Sequence, residues 1–252
     1  MTSTELDQGE GWTKRWTTSW KVAGAAVVCP VRDLASFPIK GTQPVRRFSW
    51  RTSQHHRPGL QYLVSTGRHH GFESHAEQEF LLALDFAGQL EEVLSQPFRL
   101  TFTSSTGTGS HIPDFLAWTR AGTWLVDVRP GHLIKPEDTV RFAAAAEVAL
   151  ACGWRYTVVS GWQPHVQTTL DTLASQRRPI LDRLGLQEQV LAHLAQGPLP
   201  FGELAQETTV PVVARTAILH LLWHRRLAVD LAAPLTDRSV VHRSTPQMGR
   251  QR

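Results

Sequence analysis

Three carboxylates and one guanidinium carry the most specific chemical signal in this chain. Glu77 sits near the start of a helical pattern, Asp114 follows Pro113 in a β-rich run, and Asp127 and Arg129 lie two apart near the end of the next. A hairpin of residues 112–118 and 123–129, joined by a loop of about four residues, places Asp114 opposite Asp127. Side chains alternate along a strand, so Asp127 and Arg129 share one face while Val126 and Val128 take the other. Two acids facing each other among apolar residues repel and resist desolvation, and a positive group must compensate. Magnesium does so: it prefers hard oxygen ligands and binds through one or two carboxylates plus substrate phosphate. Held there, it would polarise a scissile phosphate and lower the pKa of an attacking water.

Each residue also has a plainer reading. Asp114 and Asp127 can mark strand ends, and Arg129 can be the ion-pair partner of one of them. Glu77 can be the third helical residue of a capping box begun by Ser74. The combination of a helix bearing Glu77 with two adjacent strands bearing Pro113-Asp114 and Asp127-Val128-Arg129 favours a site. His111, three residues before Asp114, is either a phosphate or ligand-positioning contact or a simple hairpin residue.

A polyanionic partner is favoured by the segment ahead of these residues. Arg46, Arg47, Arg51, Arg57 and Arg68 are interspersed with His55, His56, His69 and His70, and carboxylates are scarce. Arg46, Arg47 and Arg51 are the candidate DNA contacts. Adjacent histidines in a strand point to opposite sides, so a phosphate-facing surface suits the two His-His pairs better than a metal site. The formal charge of +4 permits nucleic acid without requiring it.

Around these residues the elements follow in a readable order. Ser74 and Glu77 open a helix that ends near Gly88. Residues 90–102, 112–118 and 123–129 are β-rich, with a Gly/Ser/Thr stretch over 104–110 between the first two. Pro136, Glu137 and Asp138 suit a helical first turn, the alanine-rich run after Phe142 continues it, and Gly153 stops it. Residues 154–160 read as a buried strand and 164–175 as a closing helix. An α/β fold follows, with the order α-β-β-β-α-β. The chain divides into an N-terminal extension (1–72), a core (73–178), a winged-helix-like domain (179–243) and a disordered tail (244–252). In the extension, Trp12, Trp16 and Trp20 recur at helical spacing and read as a packing face.

Taken in order, Glu73-Ser74-His75-Ala76-Glu77, Leu84-Asp85-Phe86, Ser95-Gln96-Pro97-Phe98, His111-Ile112-Pro113-Asp114-Phe115, Val126-Asp127-Val128-Arg129-Pro130 and Gly153-Trp154-Arg155-Tyr156 resemble the TnsA-type endonuclease subunits of heteromeric transposases. The resemblance spans roughly residues 45–243. It implies the restriction-endonuclease-like mixed-sheet core of the PD-(D/E)xK superfamily with a C-terminal winged helix. It also implies a magnesium-dependent endonuclease, with manganese as a substitute, that hydrolyses the 5′ side of transposon ends. Glu77, Asp114 and Asp127 would hold the metal, with the carbonyl of Val128 as a further ligand. The implied partners are transposon-end DNA, a DDE-type transposase and an AAA+ ATPase regulator. One departure is chemical: Arg129 stands where the superfamily has lysine, and a guanidinium stays protonated at physiological pH, so it supplies charge and not a general base. The rival expectation is a catalytically inactive DNA-binding or adaptor protein that keeps the nuclease fold.

The C-terminal residues Arg215, His220, His224, Arg225 and Arg226 are either DNA contacts of a helix-turn-helix or the solvated face of a partner-binding module. No Walker A pattern is present, so no nucleotide is expected. Two cysteines without a CxxC pair suggest a reducing, cytoplasmic setting. The apolar run from Val22 to Val31 is too short to span a bilayer, and no membrane partner is expected.

Overall fold

The computed structural model describes residues 4–22, 24–46 and 58–244. Arg47 and Arg51, with Arg57, His55, His56 and the expected tail beyond Ser244, lie outside the described residues. The chain forms two compact units, Met1–Gly161 and Trp162–Arg252. Among the described residues no helix is long and apolar enough to cross a membrane.

The first unit is mixed α/β. It runs through α1 (Trp12–Arg15), β1 (Thr17–Val22), β2 (Ala25–Pro30), a 3-10 turn (Val31–Ser36), β3 (Gly59–Leu63), β4 (Arg68–Phe72) and α2 (His75–Ala87). Then come β5 (Leu90–Ser95), β6 (Arg99–Ser104), β7 (Gly107–His111), β8 (Phe115–Thr119), β9 (Gly122–Val128), α3 (Pro136–Ala151) and β10 (Arg155–Val159). One sheet has the order β10-β9-β8-β5 and a second the order β2-β1-β6-β7, while β3 and β4 form a separate hairpin. In the first sheet β5, β8 and β9 are antiparallel, and β10 joins parallel to β9 after the α3 crossover. The sequential order α2, β5, β8, β9, α3, β10 is therefore the expected α-β-β-β-α-β, with the β6–β7 hairpin inserted.

Local chemistry explains the two helices that flank the sheet. The Ser74 hydroxyl accepts from the Glu77 amide, and Gly88 ends α2 with φ of 66°, a left-handed turn that glycine adopts without strain. Phe80 and Leu81 are buried, and the Phe80 ring lies 5.2 Å from that of Phe115. In α3 the small side chains of Ala143, Ala144 and Ala145 are buried, in a helix that packs on β9 and β10.

Three expectations are corrected here. The run 90–102 is two strands rather than one, because Pro97 has no amide to donate and Gln96 turns the chain with φ of 48°. The Gly/Ser/Thr stretch 104–110 is more than a separator, since it holds a turn and most of strand β7. In it Gly109 faces Phe102, whose ring would come within 2.6 Å of any Cβ there, so the absent side chain makes room for the aromatic. The 1–72 segment is no mere extension: β1 pairs with β6, and Trp16 and Trp20 are buried in the core beside Phe98, Leu100 and Phe102. The tryptophan spacing is not helical beyond Arg15. Trp16 ends α1 in extended conformation, and the β-branched Thr17 and Thr18 start a strand in which Thr18 and Trp20 alternate inward.

The second unit comprises α4 (Val166–Ala174), α5 (Leu186–His193), β11 (Leu199–Pro200), α6 (Phe201–Gln206), α7 (Pro211–Trp223), β12 (Leu227–Ala228) and β13 (Val240–Arg243), with a small sheet of order β11-β13-β12. The expected division near residue 178 falls inside it. His220 Nδ1 bonds the Gln176 carbonyl at 2.8 Å and His224 Nε2 bonds that of Arg177 at 3.2 Å, which ties the end of α4 to α7. His220 is thus buried inside the unit rather than presented to DNA or to a partner. Arg215 is likewise engaged within the unit, paired with Asp237 and lying over the Phe201 ring at 4.9 Å.

Trp16 is fully buried, and its indole Nε1 donates to Thr103 Oγ1 at 3.0 Å. Trp16→Ala is expected to cost about 3–5 kcal/mol in denaturant unfolding of the first unit. An unchanged midpoint would remove the N-terminal segment from the core.

Candidate functional site

The β8/β9 register pairs Phe115 with Val126, and one residue further along it sets Asp114 opposite Asp127. Asp114 does more than face its partner. Its Oδ2 accepts from the Val128 amide at 2.7 Å, and its carbonyl accepts from the Gln96 amide at 2.7 Å. The residue before β8 is thereby tied to the end of β9. An N–H and C=O of one strand residue point to the same side, so the Val128 carbonyl, the expected extra ligand, is directed towards the Asp114 side.

Asp127 is almost completely buried and both of its oxygens have partners. Tyr156, from β10, donates its hydroxyl to Oδ2 at 2.7 Å, and His111 Nε2 lies 2.8 Å from Oδ1. Burial and then the Asp127 charge push the Tyr156 phenol far above its ordinary value, so it stays a donor at every physiological pH.

Glu77 fills the capping role its position allows. As the third residue of α2 it accepts from the Ser74 hydroxyl at 2.8 Å and from the Glu73 amide at 2.9 Å. It is also close enough to Asp114 for its charge to act on that carboxyl. Asp114 is raised well above the usual carboxylate range, first by burial and then by the charges of Asp127 and Glu77. Glu77 is raised too, by burial above all, with its two hydrogen bonds and Arg46 acting in the opposite sense.

Arg129 does not pair with Asp114 or Asp127, which corrects the plainer reading of it. Its Nε lies 3.5 Å from Asp138 Oδ2 and donates to the Leu133 carbonyl at 3.2 Å. The reason is directional: the chain leaves β9 after Val128 and the Gly131–Leu133 turn brings the start of α3 under the guanidinium.

A pocket of about 330 Å³ collects these groups. Asp114, Asp127, His111 and Arg129 line it, together with Arg46, Arg99, Asp138 and Arg141. Glu77 is not on its wall. Of the expected DNA contacts, Arg46 and His111 therefore meet the aspartates. Among the described residues no group of three or more His, Cys, Asp or Glu side chains is disposed to hold an ion by protein ligands alone. Of the remaining histidines, His70 is buried and bonded to Thr66 at 2.7 Å rather than turned to a phosphate.

Sequence reading passed over Tyr156, Arg99, Asp138 and Arg141 as site residues. Asp138 had a sufficient explanation as a first-turn acid, and Arg141 carried the one available signal, its i,i+3 spacing from that acid. Tyr156 reaches Asp127, and Arg99 reaches the pocket, only through strand pairing across long stretches of chain. Neither family models nor curated proteins give a match to this sequence.

The raised carboxyls have a consequence for stability. A group with a folded pKa above its unfolded one contributes fully below the unfolded pKa and loses that contribution as pH rises through the folded pKa. Asp114 and Glu77 are of this kind, so with chelator present they weaken the fold as pH climbs above the ordinary carboxylate range. Asp114→Asn keeps an acceptor for Val128 and removes the charge. It is expected to raise Tm at pH 7, with the gain shrinking towards pH 4. A gain that instead grows on acidification would contradict this assignment.

Proposed function

We propose that the chain is a metal-dependent endodeoxyribonuclease, a restriction-endonuclease-like core acting by phosphodiester hydrolysis on the ends of a mobile element. The observation that carries this reading is the pairing of Asp114 with Asp127, desolvated and mutually repelling, on a pocket whose other walls bear four arginines. Carboxylates on one side and guanidiniums on the other suit a cation bridged to a phosphate.

The donor set fits magnesium, or manganese, in the form that relies on substrate. Asp114 and Asp127 offer hard oxygens, Glu77 adds negative charge nearby, the Val128 carbonyl is directed to the same side, and phosphate oxygens and water complete the shell. When bound, the ion would supply Lewis acidity and a more acidic water. The protein's own residues do the rest. Tyr156 and His111 hold Asp127 in one orientation, and the Val128 amide holds Asp114. Arg46 and Arg129 attract and orient the phosphate. Water adds to phosphorus as one P–O ester bond breaks, the proton it loses passing by way of solvent to the departing sugar oxygen, which leaves as a hydroxyl, and Arg129 offsets charge on the phosphoryl oxygens without taking a proton.

The second unit, in which α5, α6 and α7 accompany a small antiparallel sheet, is read as a winged-helix-like module for partners. A DDE-type transposase and an AAA+ ATPase regulator are the partners that the resemblance implies, in a cytoplasmic setting. The second reading, a non-cutting DNA-binding or adaptor protein, has an observation of its own: both oxygens of Asp127 are engaged by protein partners.

The two readings part in a cleavage assay on end-containing DNA with magnesium or manganese, with and without the transposase. Wild type is expected to cut, and Asp114→Ala to abolish cutting; cleavage that survives the substitution sinks the site. Arg129→Ala should lower the single-turnover rate by about 10² to 10³, the usual effect of losing an electrostatic donor, and Arg129→Lys should retain much of it. An alanine variant at the wild-type rate takes Arg129 out of the mechanism. For the second unit, a chain ending at Gly161 is expected to keep cation-dependent thermal stabilisation and lose ATPase recruitment. Undiminished recruitment would assign that role elsewhere.

A further inference from the structure

The pocket has a polar wall of which the proposed hydrolysis uses Arg129 alone. Asp138, the third residue of α3, is buried, and it sits between two guanidiniums. Arg141 Nη1 lies 3.2 Å from its Oδ1 and Arg129 Nε lies 3.5 Å from its Oδ2, while Oδ2 also accepts from the Lys135 amide at 3.2 Å. Each arginine is fastened by only part of its donor set. Arg129 uses Nε and Arg141 uses Nη1. That leaves the two terminal nitrogens of Arg129, and the Nε and Nη2 of Arg141, without a hydrogen-bonding side-chain or backbone partner among the described residues.

A structural purpose does not account for both. One carboxylate at the start of a helix is satisfied by the helix end and by one cation. A second guanidinium leaves the group with net positive charge, and both side chains are more than two-fifths exposed, where an ion pair contributes little to stability. Planar forks with unused N–H groups match the non-bridging oxygens of a phosphodiester. Arg99 lines the same pocket and adds to the field.

We propose that Arg129 and Arg141, set in place by Asp138, form a two-guanidinium clamp for a backbone phosphate of duplex DNA beside the carboxylate pair, which makes Arg141 a substrate-binding residue. The clamp rests on the reading of this pocket as a DNA phosphate site. It goes beyond that reading by assigning a residue outside the metal-binding pattern and by placing substrate contact at the start of α3.

The test separates binding from cutting. Equilibrium binding of a labelled DNA duplex is measured in EDTA, where no cleavage occurs, over a range of salt concentration. The full chain is compared with Arg141→Gln, Arg141→Lys and, as a charge-matched control away from the pocket, Arg32→Gln. Each phosphate contact contributes about 0.9 to the slope of log K against log salt. Arg141→Gln is expected to weaken binding and flatten the slope by about one, with Tm close to wild type. Arg141→Lys should restore the slope while binding less tightly, since it keeps the charge and loses the fork. Arg32→Gln should leave the slope in place. An Arg141→Gln slope equal to that of wild type, or a wild-type chain that does not bind duplex, overturns the clamp. A chain that binds with an Arg141-dependent slope yet does not cut with magnesium keeps the clamp and removes the nuclease reading instead.

Discussion

The hydrogen bond from the Val128 amide to Asp114 Oδ2 is the constraint on which the site depends. It fastens the residue that precedes β8 to the last residue of β9, and so brings Asp114 and Asp127 into one another's field. Everything else in the first unit supports that juncture. The Gln96 turn holds Asp114 through its carbonyl, β10 delivers Tyr156 to Asp127, and β7 ends at His111 just where the other Asp127 oxygen needs a partner. Five segments of chain converge on two carboxylates, and hydrogen bonds to buried charge cost much when left unmade.

Such a site is held against its own electrostatics. Burial and like charge both disfavour ionised Asp114, and the fold tolerates this because a large apolar core surrounds it: Phe115 and Leu116 on one strand, Leu125 and Val126 on the other, all nearly inaccessible. Local conflict within a consistent framework is the ground on which this pocket is proposed as functional. Of the arginines around the pocket, Arg46 opposes the rise at Glu77. Arg129 is turned away from the pair, since the carboxylate it meets is Asp138.

The second unit is organised on a different economy of polar groups. Its histidines at 220 and 224 bond the Gln176 and Arg177 carbonyls just past α4, and their rings lie 4.3 Å apart. A positively biased run of sequence, which composition alone offers as a binding face, is in part an internal seam. This moves the division of the chain to residue 161 and assigns Arg177 and Arg178 to the body of the second unit.

Elements with local causes were legible from the sequence. Ser74 and Gly88 bound α2 by capping and left-handed geometry, Pro136 opens α3, and the four-residue spacing between the 112–118 and 123–129 runs sets the register that places Asp114 opposite Asp127. Those signals act within a few residues, so no tertiary information is needed to read them. The burial of Trp16 was foreseeable as a packing face, but its conformation was not, since helical spacing and a β-branched strand compete until pairing with β6 decides between them. Tyr156 on Asp127, Arg129 on Asp138, and the union of α4 with α7 were decided by tertiary structure alone. Each joins groups from separate elements, and the partner of a charge or a carbonyl depends on which strand or helix arrives beside it, a matter that spacing along one element does not encode.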